Sequence, residues 1–108
     1  MEVKVIRVTV AYANEQGKKF DWDYFVGTHR ALVHRELDTL GMVSFEQEKG
    51  ISSSDPNAPP PFIGIAHLSF NTVDEVHEAF KAAGRAVMGD IPNYTDIAPT
   101  VQISEVVP

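Results

Sequence analysis

His29 is the residue of this sequence best placed to do chemistry. Wound as a helix over Phe20–Gly41, at roughly 100° per residue, the chain brings Trp22, Val26, His29, Val33 and Leu40 close to one line. An imidazole inside an apolar stripe has little water and needs a hydrogen-bond partner. It is therefore either a core histidine satisfied by a neighbour or the polar group of a pocket. In a pocket it can take or give a proton near neutral pH, and burial lowers its pKa and favours the neutral ring. Tyr24 lies off the line, where it would reach a rim and assist. Trp22 belongs with Phe20 and Phe25 to an aromatic cluster that reads first as core and second as a ligand wall. Glu36 follows His29 by seven residues, about 10 Å along a helix, too far for a direct partner.

A second concentration of polar groups is Asp90-Ile91-Pro92-Asn93-Tyr94-Thr95-Asp96. It falls in a connection of about 15 residues, and connections that long in a small domain are often functional. It reads either as turn chemistry around Pro92 or as a lid. As a lid, Asp90, Asn93 and Tyr94 would touch a ligand, and Asp96 would serve beside His29 as an acid or base. His67 sits in a strand-like run, on the side of Ile63 and Ile65, as an interface residue or a second pocket group. His34 and His77 fall off the apolar stripes and are expected to be exposed.

Other chemistries find no support. His29 and His34 are spaced i, i+5, about 140° apart on a helix, so they cannot share a metal. The chain has no cysteine, which excludes disulfides and thiolate catalysis. It has no Gly-x-Ser-x-Gly elbow and no glycine-rich phosphate loop. No metal or cofactor is expected.

The elements that must position these residues follow from hydrophobic period. Val3–Ala13 alternates as a strand with Ile6, Val8, Val10 and Tyr12 on one face. Asp21 is an N-cap for the first helix, Phe20 and Phe25 sit as a hydrophobic staple, and Gly41 ends it. Gly27 inside this helix suggests close backbone packing. Met42–Lys49 is a more exposed strand, Gly50–Pro61 a loop, and Phe62–Phe70 a central strand apolar on both faces. Thr72 and Glu75 form a capping box for a second helix through Ala83, closed by Gly84. Thr100–Val107 is a last strand with Val101, Ile103 and Val107 inward.

The order β-α-β-β-α-β predicts an α+β, ferredoxin-like fold, a four-stranded antiparallel sheet with two helices on one face. Its 108 residues make a single domain spanning 1–108. The free face would expose Ile63, Ile65 and their neighbours, so a homodimer, sheet against sheet, is expected. Net charge is −6, from 9 basic and 15 acidic residues, and no basic cluster interleaves with aromatics. Neither nucleic acid nor an anionic membrane surface is an expected partner. No leader precedes the first strand pattern and no apolar run reaches the ~20 residues of a membrane span, so a cytoplasmic protein is expected.

Taken together, these residues resemble the EthD-like family of the dimeric α/β-barrel superfamily. The resemblance is carried by Phe20-Asp21-Trp22-Asp23-Tyr24-Phe25, by Thr28-His29 with Leu32-Val33, by Phe62 to Phe70, by Val87 to Asp96, and by Val101 to Val106. It implies a ferredoxin-like subunit paired into a dimeric barrel, with a cavity between sheet and helices near His29. It further implies a small apolar ligand and a link to ethyl tert-butyl ether degradation beside a cytochrome P450 system. Wider relatives on the fold include cofactor-free monooxygenases, isomerases and decarboxylases, so an enzyme using His29 for proton transfer on an aromatic or polyketide-like substrate is the alternative. The chain departs from the family after the histidine, with Arg30 and Ala31 where a hydrophobic residue and proline are common. Arg30 would bring positive charge to the pocket mouth.

Overall fold

The computed structural model describes residues 4–108. Strand β1 (Ile6–Ala13) buries Ile6, Val8, Val10 and Tyr12 and leaves the alternate residues half-buried, as its period demands. The expected start at Val3 lies outside the described residues. Antiparallel partners flank β1 on both sides: β3 (Phe62–Phe70) and β4 (Thr100–Glu105). The outer side of β3 pairs with β2 (Ser44–Lys49). Among the described residues this gives one four-stranded sheet in the order β2-β3-β1-β4, the α+β ferredoxin-like arrangement implied by the element order.

Register decides what each face offers. On the helix side, Phe45, Leu68, Val8 and Ile103 form one cross-strand row, and Gln47, Ala66, Val10 and Val101 form the next. The rows are buried at their centre. They emerge at edge strand β4, where Val101 is 44% and Ile103 39% exposed. Val107, expected to point inward, is 83% exposed, because β4 ends at Glu105. On the other side, Ile63 and Ile65 are half-buried. Their cross-strand neighbourhood is polar: Glu46, His67, Thr9 and Gln102 form one row and Glu48 borders Ile65. The apolar residues expected there are thus interspersed with polar ones, and exposed Phe62 joins Ala11 on the same face in a groove with Thr9, Thr100 and Gln102.

The second helix, α3 (Val73–Gly89), starts at the expected capping box. Thr72 Oγ1 accepts the Glu75 N–H at 3.0 Å, and the Thr72 hydroxyl donates to the Glu75 carboxylate at 3.2 Å. Instead of stopping at Ala83, the helix runs through Gly84 to Gly89. Val76, Ala79, Ala83 and Val87 continue one buried stripe. Burying that stripe outweighs the roughly 1 kcal/mol that an internal glycine costs. The connection to β4 shortens to 90–99, and it contains one 3-10 turn, Ile91–Asn93.

The first helix is irregular. It consists of α1 (Trp22–Tyr24), a π turn (Phe25–His29), α2 (Arg30–Leu37) and a closing 3-10 turn (Asp38–Leu40). Asp21 caps it by accepting the Tyr24 N–H at 3.1 Å, and Gly41 ends it at φ 103°, a conformation that glycine adopts without strain. The staple forms, with the Phe20 and Phe25 rings 5.0 Å apart. The buried line is Phe25, His29, Val33 and Leu37, and Val26 is exposed. A π turn takes up one more residue than an α turn, so the face it presents slips relative to a regular helix. The close packing expected at Gly27 is absent: a Cβ there would meet nothing within 4 Å.

Candidate functional site

The π turn and the end of α3 bring His29 and Asp90 together. Three contacts hold the Asp90–Asp96 segment against the start of the first helix. Asp21 N–H donates to the Tyr94 carbonyl at 2.8 Å, Phe20 bridges to Thr95, and the Thr95 hydroxyl donates to the Lys19 carbonyl at 2.6 Å. Across the helix, Gln47 on β2 holds the π turn. Its amide donates to the Phe25 carbonyl at 2.8 Å while its oxygen accepts from Arg30 Nε at 2.7 Å. Arg30 is therefore turned outward onto Gln47 and brings no charge to the cavity, contrary to expectation.

Asp90 is the hub. Its Oδ1 accepts from the Tyr24 hydroxyl at 2.6 Å and from Asn93 Nδ2 at 2.9 Å, and its Oδ2 pairs with His29 Nδ1 at 2.8 Å. Burial alone would raise the Asp90 pKa. The bonds from Tyr24, Asn93 and His29 outweigh it and hold the pKa below the ordinary 3.8. An ionised carboxylate only accepts, so the His29 proton sits on Nδ1. Burial lowers the His29 pKa below 6.5, and the bond to Asp90 only partly offsets this. The ring is thus neutral near pH 7, with a bare Nε2.

One tyrosine hydroxyl approaches that nitrogen and links it to a second. The Tyr94 hydroxyl lies 3.4 Å from Nε2 and bonds the Tyr12 hydroxyl at 2.5 Å. Burial pushes the Tyr12 pKa up to about 12, and also raises that of Tyr94. Both stay protonated, so each can give one proton and accept another. A continuous chain runs from Tyr24 at the rim through Asp90, His29 and Tyr94 to Tyr12.

His29 and Tyr12 both line a cavity of about 20 Å³ between sheet and helices. Its other walls include Val10, Val33, Ala66 and Leu68, with half-buried Phe45, Phe80 and Met88. Among the described residues no cation lines it, and no group of three or more His, Asp or Glu side chains could hold a metal. A neutral imidazole backed by a carboxylate, beside a phenol and inside an apolar wall, can remove a proton from a bound molecule and return it.

Of the residues singled out from sequence, Tyr24, His29, Asp90, Asn93 and Tyr94 converge. Asp96 does not join them. It is exposed, on a surface groove on the far side of Met88 and Ile91, and the carboxylate beside His29 is Asp90. Trp22 packs on Phe20 at 4.5 Å, under Lys49, and covers Gly64 instead of lining the cavity. His67 points to the opposite side of the sheet, between Thr9 and Glu48, because alternate strand residues face opposite ways. His77 is exposed, whereas His34 is half-buried, edge-on to Phe45. Tyr12 and Gln47 were missed as site residues. Tyr12 carried a signal, the one hydroxyl on an otherwise aliphatic strand face. Gln47 carried none, since its role depends on a π turn.

Among the described residues no helix is long and apolar enough to cross a membrane. No family model matches the chain, and no curated protein matches it. Solved structures do. An EthD-like protein from Ralstonia eutropha JMP134 is 34% identical, with 99% of this chain and 96% of that one covered at a TM-score of 0.89. An ethyl tert-butyl ether degradation (EthD) family protein from Bacillus halodurans C-125 is 16% identical, with 95% and 99% covered at 0.65. A protein provisionally described as an antibiotic biosynthesis monooxygenase, from Bordetella bronchiseptica, shares the fold at 14% identity, 99% and 100% coverage and a TM-score of 0.62. The first of these likenesses combines identity, full length and fold, and on it the chain belongs to the EthD-like family.

Proposed function

We propose that this protein binds a small, mostly apolar molecule against His29 and Tyr12, and that the Asp90–His29 pair exchanges a proton with it without a cofactor. The observation that supports this is the 2.8 Å bond between Asp90 and His29 Nδ1, which leaves Nε2 unprotonated, 3.4 Å from the Tyr94 hydroxyl, on a residue that lines an apolar cavity. In the reaction, an acidic O–H or C–H of the ligand loses its proton to Nε2. The electron pair stays on the ligand, and the developing oxyanion is held by the Tyr12 hydroxyl. Asp90 stabilises the imidazolium until the proton returns, at the same or another atom. Isomerisation and decarboxylation of aromatic or polyketide-like compounds begin with such a step.

The second reading is an accessory protein in the breakdown of ethers beside a cytochrome P450. The EthD family name of the Bacillus relative favours it. An ether oxygen would use Tyr12 and leave the Asp90–His29 pair without a part, so the proton-transfer reading accounts for more of the site. Pairing of two copies through the outer sheet face belongs to the same proposal. Half-buried Ile63 and Ile65 support it, as does Arg7, whose Nε is buried without a partner among the described residues. Sedimentation at micromolar concentration tests the pairing, and a monomer contradicts it.

4-Nitrophenol tests the site, because its neutral and ionised forms differ in colour. The expected result is that the bound phenol appears ionised at a pH where the free phenol is still mostly neutral. His29→Gln is expected to bind it without the colour change. Bound phenol that stays neutral in the unsubstituted protein contradicts proton transfer.

A further inference from the structure

The cavity at His29 is too small for its ligand. About 20 Å³ holds one water-sized group, whereas small-molecule pockets run to roughly 300 Å³ and above. Two of its wall residues, Met88 and Ile91, also line a second space. This is a groove of about 420 Å³ that continues over Pro92, Thr95, Ile97 and Pro99 and carries Asp96 at its edge. Ile91 is buried and fixed in the 3-10 turn. Met88 is half-buried, unbranched and flexible, two residues before Asp90 in the last turn of α3. Met88 thus stands between the small cavity and the groove as the adaptable one of the two shared wall residues.

We propose that cavity and groove are one ligand site divided by Met88, and that it takes an elongated, uncharged compound with a phenol or enol at its inner end and an apolar chain at its outer end. The proposal rests on the reading of His29 and Tyr12 as the head-group end. Chemistry along the site points to this class. The inner end holds a proton acceptor and a hydroxyl but no cation, so a weakly acidic hydroxyl suits it better than a carboxylate. The passage is bounded by Met88 and Ile91, and the groove beyond by proline, isoleucine and alanine, which suit an alkyl or aryl body. Asp96 at the outer edge, on a chain of net charge −6, disfavours an anionic tail. The loop that supplies Asp90 to the head thereby supplies the walls for the tail.

Calorimetric titration of the full chain with phenol, 4-ethylphenol and 4-butylphenol tests this. Affinity is expected to rise about three- to fourfold for each added methylene. Met88→Trp, which fills the passage, is expected to abolish that rise, and Met88→Ala to preserve it. Affinity that does not change with chain length overturns the proposal, as does a rise that Met88→Trp leaves intact. Should Met88→Trp fail to fold, the exposed Asp96 decides. Asp96→Lys is expected to tighten 3-(4-hydroxyphenyl)propionate about fivefold at low salt and to leave 4-butylphenol within about twofold. No gain for the anionic compound overturns the proposal. Colour change and chain length separate the two readings. If bound 4-nitrophenol stays neutral while the chain-length rise persists, proton transfer falls and the divided site stands. If the proton moves but affinity is flat with length, the divided site falls alone.

Discussion

The two helical segments of this protein pack on the same face of one sheet and are built in opposite ways. α3 is regular over 17 residues, with one buried stripe and no polar group in its middle turns engaged in a network. The first helix changes its winding three times between Trp22 and Leu40 and carries Tyr24, His29 and the carbonyl held by Gln47. The regular helix supplies area. The irregular one supplies a base at a defined angle, because a π turn can set a side chain where an α turn would not. The two meet at Asp90, the residue just past the end of α3, which makes the regular helix the support for the irregular one.

Substitutions that strike each helix separately test this division. The largest effect is expected at Phe25, fully buried in the π turn against Tyr12, Phe20, Trp22 and Tyr94. Phe25→Ala should cost about 3–5 kcal/mol in urea unfolding. A cost below about 1 kcal/mol would mean that the π turn is not packed as described. Next is Asp90→Asn. It removes the charge that stabilises the imidazolium, so the His29 pKa should fall further and the colour change of bound 4-nitrophenol should disappear, while α3 stays helical by circular dichroism. Retention of the colour change would take Asp90 out of the site.

Stability should also depend on pH with a definite sign. His29 has a folded pKa below its unfolded 6.5, so the unfolded chain binds the proton first. Its contribution is complete above about 6.5 and declines as pH falls below that value. The lowered Asp90 pKa adds a second loss once pH drops below 3.8. His29→Gln should remove the first decline and leave the second. A stability that rises on acidification from pH 7 to 5, with the decline attributed to His29 absent, would contradict a neutral buried ring.

Smaller effects are expected at Gln47 and at Gly84. Gln47→Leu should cost about 1 kcal/mol, the scale of one lost hydrogen bond, and should shift the His29 resonance by loosening the π turn. An unchanged resonance would show that Gln47 is not a positioning residue. In α3, a Cβ on Gly84 would meet Phe80 at an ordinary 3.4 Å, so Gly84→Ala should stabilise by about 0.5–1 kcal/mol without touching the site. Destabilisation there would mean that α3 has less room than its regular packing suggests.

The same contrast explains what was legible in the sequence. Strand alternation, the Asp21 and Thr72 caps, the Phe20–Phe25 staple and the Gly41 terminus are local rules, and each appeared where its residues stood. Gly84 misled because a local breaker lost to a buried stripe that continued to Val87. Val26 was placed on the buried line because a uniform 100° step cannot represent a π turn, whereas Leu40, placed on the same line, does pack against the core. At the site, His29 was found from one polar residue on an apolar face. Asp90 was named with its loop, but its pairing with His29 spans 61 positions, and no spacing rule reaches that far. Asp96 looked equivalent to Asp90, and the fold separated them by turning one inward and the other to water. Tyr12 could have been found by the logic that found His29, as the one hydroxyl on the inner face of β1.

The central claim is that His29 is a neutral base held by Asp90. Nitrogen NMR of the imidazole, followed from pH 8 to pH 4, tests it most directly. The account predicts a ring neutral at pH 7, protonated on Nδ1 with Nε2 bare, and titrating below 6.5. A proton on Nε2 in the neutral ring, or a pKa above 6.5, would contradict it.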